Sequence, residues 1–221
     1  MRSPNRRRRA FTLIEMLVVM AIIAILVAIV LNLNSLAQSK AARTRAQTEI
    51  HTLSAGLEAY KADNGSFPQD ASTTDTLDPR TSGDPNSTAY KAACLFLYQQ
   101  LSGDANANGR NEPAGTPPES KNYLPDFFMT QRLGLDSSKA VGTAGWVLYI
   151  KDPYGNCYGY STKGAAAEQT YRTKVSTDPA AVRTANQGYN PTFDLWSTGG
   201  KGSAPTPGVT GDVTNVWLKN W

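Results

Sequence analysis

FTLIEMLVVMAIIAILVAIVL, residues 11–31, decides how the rest of the chain is read. Across these twenty-one residues Thr12 and Glu15 are the only strongly polar side chains. At a rise of roughly 1.5 Å per residue such a helix covers about 30 Å, the hydrocarbon thickness of a bilayer. The pattern therefore predicts a membrane-spanning helix. Glu15 is out of place in it, because an unpaired carboxylate in lipid costs about 2.5 kcal/mol or more. A plain anchor has no use for that group, so Glu15 is a candidate functional residue. The alternative is an interfacial Glu near the helix end, reaching back to the headgroups.

Working outward toward the N-terminus, Arg2 and Arg6, Arg7, Arg8 and Arg9 put five arginines and no acid into residues 1–10. Such a segment is expected to stay on the cytoplasmic side, so the rest of the chain faces out. A secretory signal would carry a small-x-small cleavage site after its apolar core. Here the run ends in LNLNSLAQSK, and the small residue, Ala10, precedes the core. The formal net charge is +4, but loss of residues 1–10 leaves 17 basic against 18 acidic side chains, a net −1. Nucleic acid is thereby excluded as a partner, since the basic surface it needs would lie in the discarded leader.

Toward the C-terminus, Ala42, Ala46, Ile50, Leu53, Leu57 and Tyr60 recur at steps of three and four, one helical face. Arg43, Arg45, Glu49, Glu58 and Lys61 fall mostly on other faces, and Arg45 to Glu49 has the spacing of a surface pair. A single helix is expected over 11–62, ending at DNGSFP, where Asn64 or Gly65 can take a left-handed cap and Pro68 cannot continue. Residues 70–88, rich in Ser, Thr, Asp and Pro, read as an exposed loop. Tyr90, Ala93, Cys94, Leu97, Tyr98 and Leu101 then form the stripe of a short helix over 90–101. Residues 122–130 and 146–150 are strand-prone, 151–160 reads as a turn and a strand, 164–190 as a long loop, and 193–200 as a strand and turn.

Chemistry-bearing groups are few. His51 is the only histidine, so a Ser, His, Asp hydrolase would have to use it, and a lone His on a polar helix face is ordinarily solvated. One His and two distant Cys exclude a zinc cluster. Residues 102–112, SGDANANGRNE, match the front of a calcium loop, with Asp104, Asn106 and Asn108 alternating and Gly109 at the sixth position. The twelfth position is Gly115 rather than Glu, which argues against an EF-hand, although Glu112 or Glu119 could supply oxygen. An Asn/Gly-rich loop without metal is the other reading.

Arg9-Ala10-Phe11-Thr12-Leu13-Ile14-Glu15 resembles the processing motif of type IV pilins and of the pseudopilins of type II secretion. Three further stretches are similar to segments of major pseudopilins: YKADNGSFP at 60–68, DPYGNCYGY at 152–160, and FDLWSTGG at 193–200 with GDVTNVW at 211–217. The resemblance implies cleavage by a prepilin peptidase between Ala10 and Phe11 and methylation of the Phe11 amine. The family nearly always has Gly where Ala10 stands. It also implies that the Glu15 carboxylate lies near the Phe11 amine of a neighbouring subunit, each neutralising the other.

The implied architecture is α+β and type IV pilin-like: a leader over 1–10, a spanning and polymerising helix over 11–35, the amphipathic half of that helix over 36–62, and a periplasmic head over 63–221 with a small antiparallel sheet of three or four strands. The implied function is structural, not enzymatic: a single-pass inner-membrane subunit that polymerises into a pseudopilus driving protein export. Its partners are identical subunits, minor pseudopilins, the inner-membrane assembly platform and the membrane. A type IV pilin for adhesion, motility or DNA uptake is the alternative, and a membrane-tethered periplasmic enzyme or binding protein the second. In the family the two C-terminal segments hold a structural calcium, carried over here onto Ser197 and Asp212. Gly200-Lys201 and Val213 replace acids, which weakens that site. No other cofactor is implied. The family fold brings helix and sheet together, so Cys94 and Cys157 either pair as a disulfide in an oxidising periplasm or stay two separate thiols.

Overall fold

The computed structural model describes residues 12–81, 83–109, 121–183, 187–200 and 217–221, with no side chains described over 29–36. The fold is α+β: a first helix, α1 (Leu13–Asn64), a second, α2 (Thr88–Ser102), a third, α3 (Lys163–Thr177), and five short strands. The chain divides at Ala41/Ala42 into two compact units. The first holds the apolar beginning of α1; the second, the head, holds everything after it.

In the head, the expected stripe of α1 is the buried one. Ala46, Ile50, Leu53 and Leu57 are buried, and Tyr60 and Ala42 are half-buried. α1 stops where DNG predicts, with Gly65 at φ +80° and its N–H donating to Lys61 O at 2.7 Å. α2 repeats the logic: Ser87 caps it by accepting the Tyr90 N–H, Gly103 closes it at φ +74°, and its predicted stripe is buried from Tyr90 to Leu101. Leu53 and Leu57 share one core with Leu97, Leu101, Ile150, Tyr158, Tyr160 and Leu195. Burying each such aliphatic contributes about 1.5–3 kcal/mol, so these two stripes define the core.

All strand pairs are antiparallel. β1 (Leu133–Leu135) pairs β2 (Val147–Ile150), and β3 (Gly159–Ser161), β4 (Asp194–Ser197) and β5 (Leu218–Lys219) form a second sheet in that order. Among the described residues, five strands in two sheets thus stand where a single sheet of three or four was expected. The DPYGN turn joins them: Asp152 N–H donates to Asn156 O, Gly155 N–H to Asp152 O, and Lys151 bridges Cys157. Gly159 is required where it stands, because a Cβ there would come within 2.2 Å of the Trp196 ring across the β3–β4 pair.

Three expectations fail for identifiable reasons. Residues 122–130 are turns, since Asn122 Oδ1 caps the Leu124 N–H, Pro125 has no N–H, and Phe127 N–H folds back to Leu124 O. The stretch read as a long loop over 164–190 contains α3. That helix buries only Gly164 and is carried by Ala165, Ala166, Ala167, Glu168 and Gln169, strong helix formers, with a Glu168–Arg172 pair at 3.0 Å. Residues 70–88 are not simply exposed: Thr74 and Leu77 are buried, and Thr162 Oγ1 donates to Asp75 at 2.7 Å.

Candidate functional site

The first unit presents an apolar helix with its side chains outward. Leu13, Ile14 and Met20 are 84%, 69% and 71% exposed, and large aliphatics continue exposed to Val27. Glu15 is exposed among them. Thr12 caps the helix by accepting the Glu15 N–H on Oγ1 at 3.3 Å. Thr12-x-x-Glu15 is the capping-box spacing, so Glu15 also stands at the position where a helix N-terminus favours negative charge. That signal was readable in the sequence and missed. Among the described residues no helix is long and apolar enough to cross a membrane; the described side chains of the apolar run stop at Ala28, short of Leu31. Ala10 and Phe11, the expected cleavage and methylation residues, lie outside the described residues.

Glu49, read as half of a surface pair, is instead buried at 3% exposure. Its carboxylate accepts the Tyr158 hydroxyl at 2.8 Å, Arg132 at 3.2 Å and Arg45 at 3.1 Å. Three residues after Ala46 and one before Ile50, it lies close to the buried face, which the charge pattern concealed. Burial, with Glu49 beside it, pushes the Tyr158 hydroxyl far above the ordinary tyrosine range, so it stays a donor at every physiological pH. This node joins α1 to the DPYGN segment.

The two candidate metal loops are held by protein donors. Asp104, 1% exposed, accepts the Tyr98 hydroxyl at 2.7 Å and the N–H groups of Asn108 and Gly109 at 3.1 and 2.8 Å. Asn106 is exposed and its carbonyl accepts the Gly145 N–H, while Ala107 and Gly109 take left-handed φ of 52° and 81°. Gly115, Glu112 and Glu119 lie outside the described residues. In the C-terminal loop, Ser197 Oγ donates to Asp152 Oδ2 at 2.5 Å, and Asp152 also accepts the N–H groups of Tyr154 and Asn156. Burial raises the Asp152 carboxyl above the usual range despite these donors. Asp212 lies outside the described residues. Among the described residues no three His, Cys, Asp or Glu side chains gather as a metal would need. Ser197 and Asp104 thus have their side-chain oxygens engaged by protein partners.

Cys94 and Cys157 are both buried and both free thiols. His51 is exposed on α1, as a solvated histidine would be.

Residues 5–31 match the family described as prokaryotic N-terminal methylation motif, and residues 34–106 match type II secretion system (T2SS), protein G. Over residues 34–106 the chain is similar to type II secretion pseudopilins. The second match covers the buried half of α1, its Gly65 cap and α2, the elements whose apolar residues repeat at helical spacing. The β4–β5 and α3 regions of the chain lie beyond it. No curated protein and no solved structure matches the chain.

Proposed function

We propose that this chain is the major subunit of a pseudopilus that helps drive proteins across the outer membrane. The single observation that carries the reading is the outward apolar face of α1 from Leu13 to Val27 with one carboxylate, Glu15, in it. In this reading a prepilin peptidase cuts between Ala10 and Phe11, the new Phe11 amine is methylated, and the helix stays in the inner membrane with the head in the periplasm. Assembly follows from the physics. Apolar helices leave lipid without exposing themselves to water only by packing on one another, and there the Glu15 carboxylate meets the Phe11 amine of a neighbour. The role asks no catalytic group of the head, and minor pseudopilins and the assembly platform would start and extend the fibre.

The test is Glu15→Ala in the full chain. Membrane fractionation should be unchanged, because removing a carboxylate favours insertion. Sheared or cross-linked fibres should disappear. Fibres of normal yield from that variant would overturn the pairing.

A further inference from the structure

α2 and the segment entering β3 place the only two cysteines of the chain in one dry pocket. Ile150 N–H donates to Cys94 Sγ at 3.2 Å, and Ile150 O accepts the Tyr158 N–H at 3.2 Å, next to Cys157. From the other side, Cys157 Sγ reaches the carbonyl of Tyr90, one helical turn before Cys94 on α2, at 3.7 Å. Each sulfur thus touches the backbone that carries or adjoins the other. Burial, with Cys94 beside it, pushes the Cys157 thiol well up.

We propose that Cys94 and Cys157 are an oxidisable pair, which closes into one intramolecular disulfide as the head folds and so ties α2 to the strand entry before β3. The proposal takes from the function proposed above that the head folds on the exported, oxidising side. The oxidant is a dithiol–disulfide oxidoreductase in its disulfide form. One cysteine thiolate attacks that disulfide to give a mixed disulfide. The second displaces the donor, which leaves as a dithiol carrying both electrons, while the protons given up by the two cysteines balance those taken up by the donor. In the folded head both sulfurs are at most 1% exposed and Cys157 is held as a neutral thiol, the unreactive form. Exchange therefore precedes the docking of α2, and the finished bond is shielded from reductant.

The experiment uses the full chain, in two arms. In cells that export it, acid-quenched samples are labelled with a thiol-reactive polyethylene glycol under denaturing conditions, beside a protease assay of which side the head faces. In vitro, the purified chain is unfolded in urea with detergent and refolded in a glutathione redox buffer. The expected result in both arms is a monomer with no labelled thiol, lighter by two hydrogens, gaining two labels after reduction in denaturant but none after reduction while folded. Cys94→Ala and Cys157→Ala should each label once whatever the redox buffer. Two labels on the refolded chain, or disulfide-linked dimers in place of the closed monomer, would overturn the proposal. A head on the cytoplasmic face, with the refolded chain still closing its bond, would instead overturn the exported location and leave the pair standing.

Discussion

Tyr158 and Glu49 show how much of the head's stability sits in one hydrogen-bonded carboxylate. Removing one partner of a buried charged group leaves the others desolvated and unpaired, typically at about 3–5 kcal/mol. Glu49→Ala should therefore cost the head about that much in urea unfolding, since Arg132 and the buried Tyr158 hydroxyl lose their acceptor together. Tyr158→Phe should cost less, about 1–3 kcal/mol, because it deletes a single donor. Equal losses would show that Arg132 adds nothing to the node.

Asp152 and Asp194 give the head a pH dependence of definite sign. Burial is the largest influence on each and raises both carboxyls above the ordinary value of 3.8. Between 3.8 and the raised values the folded state holds more protons than the unfolded chain, so stability falls as pH rises through that window. Asp63, Asp70 and Asp136 are lowered by their hydrogen bonds and act only below 3.8. The urea midpoint should decline as pH rises from about 4 through that window. Asp152→Asn should flatten that decline, and a midpoint that instead climbs over the same range would contradict the assignment.

At the scale of elements, Asp104 is the carboxylate at the centre of the loop after α2. Asp104→Ala removes the carboxylate that accepts the Tyr98 hydroxyl and two backbone N–H groups inside the head, a loss of about 2–3 kcal/mol. Melting with excess calcium and with EDTA should give the same loss. A larger loss in calcium would mean that the loop takes the ion as well. α1 and α2 were legible because their apolar residues repeat every three or four positions and the repeat is what packs. α3 was not, because a helix that buries only Gly164 has no stripe to read, and its alanines speak only through propensity. Leu124, Phe127 and Phe128 misled in the opposite way: apolar content suggested a strand, while Asn122 and Pro125 had already made a turn. Glu49 was hidden because charge was taken for exposure, although its place between Ala46 and Ile50 put it at the edge of the buried stripe.

At the scale of the molecule, two halves of one helix do different work. From Ala42 onward α1 buries its stripe in the head, while before Ala41 its aliphatics face outward with a capped N-terminus at Thr12. An outward apolar surface of that size on a water-facing protein would drive aggregation. In the proposed pseudopilus, within a membrane and then against copies of itself, it would be the means of assembly. The measurement that tests this most directly is the intact mass of the chain extracted from membranes. A mature protein beginning at N-methyl-Phe11 is the predicted result; a chain that keeps Arg6 to Arg9, or that is cut beyond Leu31, would contradict it.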